Sequence, residues 1–270
     1  MSPPGHRRGL RPARAREPGA QVGQVGLRHA HSVGRELENH RYSGNVVRGR
    51  TGGVGNDATL AGVAEARTGA AAGARTALHL LVDVGVGGGL VVNGRPLTGA
   101  SGAGGEVGHP PFGTPGQRCP CGAAACWDLE VDGRALARHL ADEAPDDPYD
   151  YAQSVLDRAE RGDPDAAAAV ARVAAALARG TAGLANLHDP DIVTLDGLAI
   201  PLRAAATDAF DTAYTAGLMT FHRDRPPRVI DAAHRDHGAL SGAAAVGLDH
   251  LTSEAALADW HDLHAREGGS

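Results

Sequence analysis

The 270-residue sequence contains no lysine, so all 26 of its basic side chains are arginine. Aromatic residues make up 3% of it, which leaves Ala, Val and Leu to build the core in place of large rings. With 38 Gly and abundant Ala, this points to a GC-rich coding sequence, a codon bias with no bearing on fold. No run approaches the ~18 consecutive apolar residues that cross a bilayer. The N-terminus also lacks the apolar core of a signal peptide. A soluble, cytoplasmic protein with no membrane partner is therefore expected. A formal net charge of −6 gives no general attraction to nucleic acid. Three cysteines cannot close a disulfide framework, and all three fall in one short window, which favours a metal site in a reducing compartment.

The chain divides into three pieces. Residues 1–53 are rich in Arg, Gly and Pro, with no sustained helical or alternating pattern, and are expected to form a disordered leader. A basic arm for nucleic acid is the functional alternative; the arginines are neither interleaved with aromatics nor set on an amphipathic face. From residue 54 the pattern is globular. A helix is predicted over 58–72, started by Asn56 or Asp57, then a strand over 78–84 and a glycine turn over 85–89. Residues 90–97 read as a hairpin turning at Asn93-Gly94. Further helices are predicted over 131–140, 148–160, 166–187, 201–218 and 240–250, with short strands at 192–195 and 228–230. Strands alternating with helices after an initial hairpin give an α/β domain over 54–252. Residues 253–270 add a tail helix and a polar end.

His109, Cys119, Cys121 and Cys126 form an H-x9-C-x-C-x4-C pattern. Three thiolates and one imidazole complete a tetrahedral zinc site, a closed structural arrangement with no position left for a reactive water. Gly122 beside Cys121 permits a tight turn around the ion. The alternative is three buried free thiols beside an unrelated histidine. Confinement of every cysteine to this window favours the metal, whose binding would add directly to folding by pinning a long loop.

The stretch Gly104-Gly105-Glu106-Val107-Gly108-His109, followed by Cys119-Pro120-Cys121-Gly122 and Ala125-Cys126-Trp127-Asp128, resembles the signature of the ROK family, which runs G-E-x-G-H and then C-x-C-G-x-x-G-C-x-E. That family comprises sugar kinases and sugar-responsive repressors. Val54-Gly55-Asn56-Asp57-Ala58 and Gly85-Val86-Gly87-Gly88-Gly89 fall in its order too, so the resemblance covers about residues 54–250. It implies an actin-like, ribonuclease-H-like α/β fold, here mostly the second of the family's two lobes, and association into homo-oligomers. Asn56 and Asp57 match its sugar-binding pair, and Asp57 would be the general base in a kinase. Without the resemblance, Asp57 reads as a helix cap. Glu106 and His109 match further sugar contacts, His109 also binding zinc. Asp128 stands where the family usually has glutamate, one methylene longer, and Glu130 is two positions out of register. Gly85, Gly87 and Gly88 match a phosphate-proximal glycine turn, although a plain turn between strands explains such a run equally well.

Phosphoryl transfer needs positioned charge around the phosphates. Nothing in residues 1–53 resembles the Asp-x-Gly-x-Thr phosphate loop of the kinases, and Asp83-Val84-Gly85 only imitates its beginning. Val84 replaces a threonine whose hydroxyl would meet phosphate. Asp196-Gly197 stands for an adenosine-side Gly-Gly, where a carboxylate would crowd a nucleotide. The resemblance therefore implies a domain of the regulator type that senses a monosaccharide or sugar phosphate with structural zinc. Cys126-Trp127-Asp128-Leu129-Glu130 matches that branch. No helix-turn-helix is visible, so DNA would be reached only through a module absent from this chain. The alternative is a glucokinase-like hexose kinase, which would use ATP and magnesium.

Overall fold

A computed structural model describes the backbone of residues 46–48, 54–100 and 102–267. The expected leader, residues 1–53, lies outside this range apart from Val46–Arg48. That segment, β1, pairs antiparallel with β2 (Val54–Asn56).

Helix α1 follows directly over Asp57–Thr68. It stops four residues short of the expected 72. Gly69 leaves helical dihedrals there, and the buried Glu65 carboxylate accepts from Ala70 N at 2.7 Å. Strand β3 spans Thr76–Asp83 and β4 spans Gly85–Val92, paired antiparallel from Thr76↔Val92 to Asp83↔Gly85. The glycine segment expected as a turn over 85–89 is therefore strand, and only Gly85 (φ 93°) belongs to the tight connection at Val84. Close packing explains the run. A methyl on Gly87 would lie 2.8 Å from Ala58 Cβ, and one on Gly88 would lie 2.6 Å from Val107, so bare backbone lets α1 and the following loop close on the sheet. Asn93-Gly94 makes the expected hairpin turn, both with positive φ, into β5 (Arg95–Pro96).

The helical half runs α2 (Gly133–Leu140), α3 (Pro148–Glu160) and α4 (Pro164–His188), capped by Asp132, Asp147 and Asp163. Pro148 and Pro164 occupy first helical positions, where no N–H is lost. Strand β6 (Ile192–Gly197) leads to α5 (Ala199–Ala205) and α6 (Thr207–Gly217). The single helix expected over 201–218 breaks at Ala206 (φ −142°, ψ 49°), which lets Leu202 on one side and Phe210 on the other both reach full burial. A short α7 (Thr220–Asp224), not foreseen, precedes β7 (Arg228–Asp231), α8 (Gly238–Leu251) and the tail helix α9 (Glu254–Glu267).

The main sheet has the order β5-β4-β3-β6-β7, with the first three strands antiparallel and the last two joining in parallel through helical crossovers. This is the ribonuclease-H-like arrangement expected from the sequence. Helices α2–α6 bury one face of the sheet around Leu78, Leu80, Trp127, Leu136, Leu177 and Leu195. On the other face α1 and α8 cover a smaller cluster that includes Val63, Val91 and Ile192. Pro164–His188 is long and apolar enough to span a membrane by length and composition, although Asp165, Arg172 and Arg179 interrupt it and no run of ~18 consecutive apolar residues occurs there. Its alanines raise the hydropathy, and 61% of the apolar window is buried as the central core helix.

Candidate functional site

The first helical turn of α1 is built by Asn56. Its Oδ1 accepts from Ala58 N (3.0 Å) and Thr59 N (3.3 Å), making Asn56 the N-cap. Asp57 accepts from Ala58 N at 2.8 Å as the first helical residue, so the cap role considered for it falls to its neighbour. Thr59 Oγ1 donates to Gly88 O at 3.3 Å, tying this turn to β4. A methyl on Gly105 would lie 2.6 Å from Gly88 O and 2.8 Å from Thr59 Oγ1. The Gly105-Glu106 loop thus lies against the same turn that carries Asn56 and Asp57. Thr59, which makes this junction, carries no motif signal; only the register of α1 on β4 exposes its role.

Glu106 and His109 face each other across one turn of loop, Oε2 to Nε2 at 3.6 Å, and Glu106 is 56% exposed. The other imidazole nitrogen, Nδ1, is 3.8 Å from Cys119 Sγ. His109 therefore presents one nitrogen to the thiols and the other to a carboxylate. Cys121 and Cys126 sulfurs are 3.6 Å apart, and ligand atoms of all four residues lie within 4.8 Å of one another. Donors ~2.0–2.3 Å from a common tetrahedral ion stand roughly 3.5–3.8 Å apart, so this cluster fits a four-coordinate metal with little movement. Burial raises the Cys119 thiol above its ordinary pKa, and burial together with the neighbouring sulfurs pushes Cys126 to about 12. Cys121, exposed, is lowered, chiefly by the Ala123 backbone N–H. A cation would reverse the first two shifts, because metal binding trades thiol protons for metal–sulfur bonds.

The loop carrying the thiols is also held by its own hydrogen bonds. Arg118 and Ala124 form a β-bridge, Gly113 N donates to Ala125 O (2.9 Å) and Thr114 N donates to Glu130 Oε1 (2.8 Å). Glu130 thus fastens the loop from within. Gly122 (φ 95°) makes the expected turn, and Ala125 sits at φ 60° where the ROK pattern has glycine. Trp127 locks Cys126 to the core: its ring fills a space left bare by Gly180, and its Nε1 donates to Ala176 O at 3.0 Å.

Both Asp128 oxygens are engaged. Oδ1 accepts from Val86 N at 2.9 Å and Oδ2 from Arg134 Nη2 at 3.1 Å, while Asp128 N donates to Gly108 O at 2.7 Å. Arg134 also clamps the fully buried Asp132. No motif pointed to Arg134, which is two residues from Asp132 and six from Asp128 and reaches Asp128 only through the Trp127–Glu130 turn that precedes α2.

Gly87 and Gly88 lie inside β4, and Gly85 alone borders the hairpin tip. Asp196, expected to project towards a nucleotide, is turned inward and 5% exposed. Its Oδ2 stands 3.9 Å from His79 Nε2, and its Oδ1 accepts from Gly197 N at 2.8 Å. Burial raises its carboxyl above the ordinary range. The crowding expected at this position therefore does not arise from its side chain.

The ROK family pattern matches residues 48–250, three quarters of the chain. The chain belongs to the ROK family. N-acetyl-D-glucosamine kinase of Salmonella paratyphi B is 32% identical over 188 residues, 65% of this chain and 58% of that protein. The crystal structure of ROK hexokinase from Thermus thermophilus superposes with a TM-score of 0.60 at 33% identity, covering 71% of this chain and 63% of that one. A ROK transcriptional regulator homologous to the E. coli MLC protein gives a TM-score of 0.59 at 22% identity over 70% of this chain and 50% of its own, a likeness of fold alone. The chain spans less than two thirds of the length of each of these ROK relatives.

Proposed function

We propose that this ROK chain is a monosaccharide-sensing domain that holds a structural zinc ion and does not itself transfer phosphate. The observation that carries the reading is the junction of Thr59, Gly88 and Gly105, which sets the Asn56-Asp57 turn beside the Glu106–His109 loop. Sugar hydroxyls would donate to Asp57 and Glu106 carboxylates. The amide of Asn56 and the outer nitrogen of His109 would add directional contacts, and zinc on His109 Nδ1 would fix the ring. Asp128, held by Val86 N and Arg134, would accept a further hydroxyl through its remaining lone pairs. The hairpin tip presents Val84, which has no hydroxyl to offer a phosphate, and this speaks against turnover.

A second reading, a hexose kinase lobe, is favoured by the 32–33% identity to an N-acetylglucosamine kinase and a hexokinase. There Asp57 would take the proton from the attacking hydroxyl. The test is thermal shift and calorimetry with glucose, mannose, N-acetylglucosamine and their 6-phosphates, beside an assay for sugar phosphate formed from magnesium-ATP. A sugar-specific shift without product supports the sensor. Product formation moves the chain to the kinase reading, and no shift with any sugar overturns both.

A further inference from the structure

We propose that Asp128 is a positioning residue that couples metal occupancy of the cysteine loop to the order of the β3–β4 hairpin tip. The coupling rests on the zinc reading above but not on the sugar reading.

The connection can be followed bond by bond. Cys126, a metal donor, is fully buried and directly precedes Trp127, which is wedged against Gly180 and bonded to Ala176 O. Asp128 comes next. Its backbone N–H holds Gly108 O, and Gly108 is the neighbour of the donor His109. Its carboxylate holds Val86 N at the hairpin tip. Asp128 thus touches both arms of the metal loop, the His109 arm and the Cys126 arm, and transmits their spacing to β4. The fit at the tip is close: a methyl on Gly85 would overlap the Asp128 carboxylate, and one on Gly108 would lie 2.5 Å from Val86 O. Arg134 fixes the carboxylate rotamer from behind through Oδ2 while anchored on Asp132. A donor set drawn together by a cation keeps the Gly108–Asp128–Val86 triangle closed. Without the cation, the two arms are joined by a few backbone hydrogen bonds, and the tip loses its acceptor.

The experiment follows amide hydrogen exchange by NMR in the full chain, with zinc content measured on the same samples. Val86 reports the tip, and Leu195 in β6 reports global folding. In the native chain, chelation accelerates Val86 exchange at least ~10-fold more than Leu195 exchange, whose own change reports the zinc-linked part of global stability. Asp128→Ala keeps its zinc but shows fast Val86 exchange whether or not zinc is present. Asp128→Asn, which retains one acceptor for Val86 N but turns its amide NH2 towards Arg134, keeps more of the protection than Asp128→Ala. If Asp128→Ala destabilises the whole chain, seen as fast exchange at Leu195, the ratio of Val86 to Leu195 exchange with and without zinc gives the same readout, and a ratio that zinc no longer changes supports the coupling.

Unchanged Val86 exchange on chelation overturns the coupling, as does metal-dependent protection that persists in Asp128→Ala. Loss of zinc from Asp128→Ala overturns it too, by making Asp128 part of the metal site. A chain that takes up no zinc overturns it together with the metal reading, and leaves the sugar reading to its own assay.

Discussion

Gly180 in α4 faces Trp127 so closely that a methyl group on its Cα would overlap indole atoms Cε2, Cζ2 and Nε1. The tryptophan, 1% exposed, is the largest side chain in the core and sits one residue after a metal donor. Gly180→Ala would force the ring outward or bend α4. Overpacking of this kind costs about 1–3 kcal/mol, partly offset by the better helix propensity of alanine, about 1 kcal/mol. We expect a net loss of up to about 2 kcal/mol in urea denaturation and weaker zinc retention in a chelator competition. Unchanged stability would mean that the indole is not seated as described.

The four-donor cluster predicts that Cys121→Ala behaves like chelation. Cys121 is exposed, so its removal leaves no core cavity, and the effect isolates the metal. Structural zinc sites are worth roughly 10 kcal/mol or more, and loss of one donor in four should weaken binding by at least about two orders of magnitude. Zinc per chain, measured by elemental analysis after dialysis, should fall from one towards zero. Full occupancy in the variant would contradict the donor set.

Asp57 heads α1 as the acidic residue of its first turn and accepts from Ala58 N, while the cap itself is Asn56. Asp57→Ala should cost no more than about 1 kcal/mol of stability and raise the sugar dissociation constant at least ~10-fold, the loss of one charge-assisted hydrogen bond of about 1.5–3 kcal/mol. Calorimetry with the sugar that shifts the native chain measures this. An unchanged constant would remove Asp57 from the site.

His79 gives a pH dependence. It is fully buried between β3 and α1, with Nδ1 2.9 Å from Thr194 Oγ1, and desolvation lowers its pKa from 6.5 to about 4 against a smaller opposing pull from Glu65. The unfolded chain therefore binds a proton first as the pH falls. Stability from the neutral imidazole is fully present above about pH 6.5 and is lost progressively down to about pH 4, by up to about 3 kcal/mol. Asp196, whose pKa is raised by burial, acts in the opposite sense over its own range. Comparing denaturation midpoints of the native chain and His79→Gln between pH 7.5 and 4.5 separates the two. The variant should lose much of the slope, and equal slopes would assign the dependence elsewhere.

Much of this was legible because it is local. Helices α3 and α4 have Asp caps and proline starts, Asn93-Gly94 turns where a two-residue hairpin demands positive φ, and the four metal donors lie within 18 consecutive positions. Periodicity, turn chemistry and ligand spacing are properties of neighbours along the chain, and residue types express them directly. The glycines of 85–89 misled for the same reason. A glycine run signals backbone freedom in sequence, whereas here Gly87 and Gly88 supply space for Ala58 and Val107, which only packing brings alongside.

The sequence by itself determined the α/β pattern, the membership implied by Glu106–His109 and the cysteines, and the identity of the candidate sugar and metal side chains. Tertiary structure alone decided that Asn56 caps α1 while Asp57 does not, that Asp196 turns inward to His79, and that Asp128 spends both oxygens on Val86 and Arg134. Each of these is a choice of partner for a polar group. Such choices depend on which donors the folded chain leaves within hydrogen-bond reach, and the pairs that matter, 42 residues apart for Asp128 and Val86, acquire that proximity only when the sheet and the loop close on one another.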